Sequence, residues 1–96
     1  MPRNLTITDF SEIFEFAGKA PYDLHWNRCC DIFHRNHVIV NEEGKHITLY
    51  LDDLKDWIEY FKEKGEEKYK DQILAREILV DFMKQHNLEE MFVQNN

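Results

Sequence analysis

Glycine and proline are scarce in this 96-residue chain, three and two respectively, and neither collects into a tract. That excludes collagen-like, proline-rich and Gly/Ser-linker segments, and no internal repeat suggests an array. Cysteine is limited to the adjacent Cys29 and Cys30. Neighbouring side chains on a helix diverge by about 100°, so the pair predicts reduced thiols rather than a disulfide framework. No apolar run approaches the roughly 18 residues of a membrane-crossing helix. The opening MPRNLTITDF holds one Arg and no apolar run, so no signal peptide is expected there. These absences predict a cytoplasmic protein with no membrane segment. Positive charge is also short: 12 Lys/Arg face 19 Asp/Glu, a net charge of −7. Residues 1–48 hold five Lys/Arg against seven Asp/Glu, and residues 49–96 seven against twelve. A phosphate backbone is repelled by such a surface, which argues against nucleic acid as the partner.

What the chain does have is apolar and aromatic mass. Hydrophobic residues make up 43% and aromatics 14%, enough for a packed core despite 32% charged residues. The length suits one core, so a single domain over 1–96 is expected.

The patterning predicts an α+β fold of about four helices, a short C-terminal turn and one β-hairpin. Leu5-Thr6-Ile7 is a short strand or an extended lead-in. Phe10, Ile13, Phe14 and Ala17 follow helical spacing, with Thr8 as the expected cap and Gly18 suited to a left-handed stop. Phe16 falls off that stripe. A second helix runs from about Asp23 to near Asn36, with Trp26, Cys29, Cys30 and Phe33 on one stripe. β-branched and aromatic runs at about 37–41 and 45–50, separated by Asn41-Glu42-Glu43-Gly44, predict the hairpin between helices two and three. Asp52 or Asp53 can cap a third helix that buries Leu54, Trp57, Ile58 and Phe61 and closes at Gly65. The fourth, from about Glu67 to Gln85, is apolar around more than one stripe: either it is the central core helix or Leu74, Val80 and Met83 form a homodimer surface. Asn87-Leu88-Glu89-Glu90 fits a capping box, which would start a last turn and tuck in Leu88, Met91 and Phe92.

Chemistry-bearing constellations are weak. Cys30, His34, His37 and His46 can be drawn together into a Cys/His set of the kind zinc accepts, but the spacing lacks paired Cys-x-x-Cys knuckles. The bland alternative makes the cysteines small core residues and the histidines polar edges, so no metal and no cofactor is assigned. His34-Arg35-Asn36-His37 has the His/Asn composition of HNH-type nucleases, but it precedes the hairpin, whereas that site also draws ligands from the helix that follows. No serine or cysteine has a nucleophile elbow or a placed base, and no catalytic residue is assigned.

Two surfaces remain. Around helix two, His25, Arg28, His34, Arg35 and His37 outnumber Asp23 and Asp31, with Trp26 among them; this could seat a phosphate or an RNA loop. Only Arg28 and Arg35 are permanently charged, fewer than a phosphate footprint generally uses. The outer face of helix three carries Asp52, Asp53, Asp56, Glu59 and Glu63 beside Tyr60. A solvated helix face usually interleaves charges of both signs at i, i+4, whereas Asp52/Asp56 and Glu59/Glu63 repel. These six residues are the expected partner-binding set, facing a protein with a basic surface. The expected function is therefore a non-enzymatic protein-binding module: a small acidic regulator or inhibitor of a larger protein, for which a nucleic-acid-binding protein is one candidate. The alternative is a nucleic-acid-binding or metal-supported domain using helix two and the hairpin. In size and charge alone, the chain resembles the small inhibitors that phages make against host machinery.

Overall fold

The computed structural model describes residues 6–35 and 46–94. Among them are four α-helices and three strands: β1 (Thr6–Asp9), α1 (Phe10–Ala17), α2 (Trp26–Cys30), β2 (His46–Tyr50), α3 (Leu51–Gly65), α4 (Lys70–Gln85) and β3 (Glu90–Gln94). The α+β class holds. The sheet is mixed and ordered β1-β3-β2, with β1 parallel to β3 and β2 antiparallel to it.

The predicted hairpin does not describe this sheet. Its return strand exists as β2, but β2 pairs with the C-terminal β3, in the register Thr48↔Phe92 and Tyr50↔Glu90. The proposed outgoing strand at about 37–41 lies outside the described residues. The predicted C-terminal turn is instead the central strand. Met91 and Val93 are fully buried two apart, the period of a strand, whereas Leu88, Met91 and Phe92 also satisfy helical spacing; a segment this short obeys both patterns.

What turns the chain into β3 is the end of α4. Asn87 adopts φ +56, the Leu88 amide donates to the Met83 carbonyl (2.9 Å) and the Asn87 amide to Lys84 (3.1 Å). This is a Schellman stop with Asn in the left-handed position, and Leu88 and Met83 both enter the core beside it. Asn87 thus ends a helix, where a capping box would have begun one.

Other boundaries shift for local reasons. Asp9, not Thr8, caps α1, its Oδ1 accepting from the Glu12 amide at 3.3 Å, while Thr8 is buried in β1. The Thr8 hydroxyl has no hydrogen-bond partner among the described residues. Gly18 stays right-handed at φ −75. Asp23, at φ +53, lies outside helical geometry, so α2 begins only at Trp26 and continues as a π-helical turn over Asp31–Arg35. Tyr50 precedes α3 directly from β2 without a side-chain cap, which puts Asp52 and Asp53 in the first turn, favourable to the helix dipole but not capping it.

The core is one contiguous cluster built from α1, α2, the π-helical turn, α4 and the sheet, joined by Leu54 of α3. Helix α4 is its centre, with Ile73, Ala75, Ile78, Leu79, Val80, Phe82 and Met83 buried. Met83 is wholly enclosed and Val80 nearly so, which corrects the dimer surface drawn through Leu74, Val80 and Met83: only Leu74 keeps partial exposure. Phe16 finds its place half-buried against Tyr22 and Phe82, at ring distances of 6.4 and 5.5 Å. No helix among the described residues is long and apolar enough to cross a membrane.

Candidate functional site

Helix α3 packs mainly on α4, along a ridge of Leu54, Ile58 and Phe61, spaced four and three apart. Contact with a single helix needs only that narrow ridge. Gly65 ends it at φ +150, a conformation side chains rarely adopt. Trp57 lies beside the ridge rather than on it and is 49% exposed, correcting its assignment to the buried stripe.

All six expected partner-binding residues, Asp52, Asp53, Asp56, Glu59, Tyr60 and Glu63, are exposed. Among the described residues the five carboxylates have no ion-pair partner. The lysines of α3 do little to neutralise them: Lys62 Nζ turns to Glu77 on α4 at 3.7 Å, and Lys64 Nζ lies 5.5 Å from the centre of the Tyr60 ring. Asp52, Asp56, Glu59 and Glu63 step along the helix at i, i+4, i+7 and i+11, so they form one acidic ridge opposite the α4 contact.

The fold extends this ridge with residues that helix spacing could not reveal. Because β3 pairs with β2, and the Leu51 amide donates to the Glu89 carbonyl at 2.9 Å, Glu89 and Glu90 arrive at the start of α3. There a depression of about 600 Å³ is lined by Tyr50, Leu51, Asp52, Asp53, Lys55, Glu89 and Glu90. Only the β2–β3 pairing places the last two, and no local signal announced it.

Next to the ridge runs an aromatic ladder. Trp57 and Tyr60 meet edge-to-face at 5.3 Å and 85°, and Phe61 lies 5.5 Å from both. Tyr69 extends the row, 5.1 Å from Phe61. The Arg76 guanidinium sits 4.9 Å from the Phe61 centre; burial lowers its pKa below the ordinary value. Lys68 Nζ lies 5.3 Å from Tyr69. Apart from Tyr60, the ladder is absent from the expected partner-binding set, because helical spacing puts Trp57 and Phe61 on the buried stripe.

The helix-two surface is less free than its sequence suggests. Arg28 makes a two-point pair with Asp71 of α4, Nη2 to Oδ1 at 2.7 Å and Nη1 to Oδ2 at 3.3 Å. Trp26 is exposed on one side and meets Phe14 edge-on at 4.9 Å. Cys29 is fully buried, and burial first, with Cys30 beside it, raises its thiol pKa, as befits a core residue. Cys30 is half-buried. His37 and the side chains of His34, Arg35 and His46 lie outside what the structure describes. Among the described residues no group of three or more His, Cys, Asp or Glu is arranged to hold a metal.

No family model matches the chain, and neither a curated protein nor a solved structure is significantly similar to it.

Proposed function

We propose that this chain is a non-enzymatic protein-binding module, a small acidic regulator or inhibitor that docks the outer face of α3 onto a basic surface of a larger protein. The observation that carries the reading is the coincidence on one helix of five exposed carboxylates without ion-pair partners among the described residues and two half-exposed rings, Trp57 and Tyr60. Beyond the first turn, where Asp56, Glu59 and Glu63 gain nothing from the helix dipole, like charges cost a few tenths of a kcal/mol each, and exposed rings forgo burial, so neither serves the isolated fold. Together they supply what an interface uses: aromatic anchors and a charge pattern that steers and orients the partner.

The helix-two alternative loses weight because Arg28, one of its two permanent cations, is already engaged by Asp71. The discriminating experiment is a quantitative pull-down with the wild-type chain and with Asp52, Asp53, Asp56 and Glu59 all changed to Lys. A salt-sensitive partner retained by the first and lost by the second is the expected result. An unchanged partner list counts against this face.

A further inference from the structure

Three of the four rings of the α3 ladder each hold a cation from this chain: Lys64 at Tyr60, Arg76 at Phe61 and Lys68 at Tyr69. Trp57 is the exception among the described residues. Yet indole is the strongest of the aromatic cation acceptors, and this one is 49% exposed. Asp53, one helical turn before Trp57, puts an exposed carboxylate on the same side of the helix, whereas Lys64 and Arg76 are held at the neighbouring Tyr60 and Phe61 rings. The chain's own arginines with described side chains are committed elsewhere, Arg28 to Asp71 and Arg76 to Phe61 and to Gln72.

We infer that Trp57 is the seat for an arginine supplied by the partner, whose guanidinium stacks on the indole face turned away from Phe61 while its N–H groups meet the Asp53 carboxylate. The inference rests on the docking reading above and names the chemistry of what docks. Arginine fits better than lysine because a planar, weakly hydrated guanidinium can lie flat on a ring and still donate sideways to a carboxylate; an ammonium is a compact, strongly hydrated point charge. A second copy of this chain is disfavoured, since it would bring two acidic ridges together. A nucleic-acid strand could stack a base on Trp57, but it would bring its phosphates against Asp53 and Asp56.

The test uses the full chain carrying Trp26→Phe, so that Trp57 is its only indole, with folding checked by circular dichroism. Two unstructured peptides are titrated at low salt, one with four arginines spaced by Gly-Ser and one with lysines in their place. Trp57 emission is followed, and calorimetry is used where the indole is absent. The expected result is a change in Trp57 emission with binding roughly two- to fivefold tighter for the arginine peptide. Trp57→Leu abolishes that preference while leaving weaker, salt-sensitive binding of both peptides, and Trp57→Phe gives an intermediate preference. Equal affinity for the two peptides, or a preference that survives Trp57→Leu, overturns the inference while leaving acidic docking intact. Failure of both peptides to bind overturns the inference and the docking reading together. Concentration-dependent self-association that buries Trp57 would assign the seat to a second copy and also refute it.

Discussion

Tyr22 ties the connection after α1 to α4 by donating its hydroxyl to the Asp81 carboxylate, in a partly exposed contact 59 positions apart in sequence. Burial above all, then that hydrogen bond and the negative charges of Asp81 and Glu77, raise the phenol pKa well above its ordinary 10.0. The sign follows from linkage: the folded state holds the proton more tightly than the unfolded chain. The stabilisation is therefore complete below pH 10 and is lost as pH rises above it, where the unfolded tyrosine ionises first. Tyr22→Phe is expected to cost about 1 kcal/mol at pH 7, the ordinary net value of one hydrogen bond, with solvent exposure favouring the lower side. Its urea midpoint should also fall less steeply than that of the wild type between pH 9 and pH 11. Parallel pH curves for the two proteins would show that the contact does not hold the proton in solution.

At the level of elements, the consequential strand is β3, which alone joins β1 to β2 among the described residues. Met91 is wholly buried within it, so Met91→Ala should destabilise by about 2–5 kcal/mol in denaturant unfolding, as for a residue of the central helix. A loss below 1 kcal/mol would mean the strand is peripheral. The contrast between legible and illegible elements has a physical origin here. Helices α1 and α3 announce themselves because their apolar spacing is decided by contacts along one face over eight residues or more, and α4 because its apolar residues recur around most of its girth, as on a helix at the centre of a core. Strand β3 does not: five residues fit both periods, and its partners lie 40 or more positions away in β2 and more than 80 away in β1. Asn87 was ambiguous for a similar reason, since the short polar side chain that suits an N-cap also tolerates the left-handed conformation of a helix stop. The candidate site divides the same way. Its carboxylates on α3 are visible as a pattern, whereas the exposure of Trp57 depends on how narrow the α3–α4 contact is. The arrival of Glu89 and Glu90 depends on the sheet register.

For the molecule as a whole, the question is whether the acidic ridge serves the fold or a partner, and the two roles predict opposite responses to neutralisation. Asp56, Glu59 and Glu63 lie beyond the first turn of α3, out of reach of the favourable N-terminal dipole that Asp52 and Asp53 enjoy. Within the helix they face like charges at i, i+3 and i+4, each such pair costing about 0.2–0.5 kcal/mol; the attraction of Lys55 for Glu59 runs in the less favourable order. Converting the three to Asn, Gln and Gln should leave stability unchanged or raise it by up to about 0.5 kcal/mol, a gain of a few degrees in melting temperature for a chain of this size. The same variant should lose association rate on a basic partner, because the field that gathers the partner is weakened before contact. Salt separates that effect from any change of shape. At 1 M ionic strength the screening length falls to about 3 Å, and wild type and variant should then associate at nearly the same rate. A variant that melts several degrees lower would assign these carboxylates to the fold. One that melts as high or higher, yet associates slowly only at low salt, marks them as charges kept for a partner against the preference of the helix that carries them.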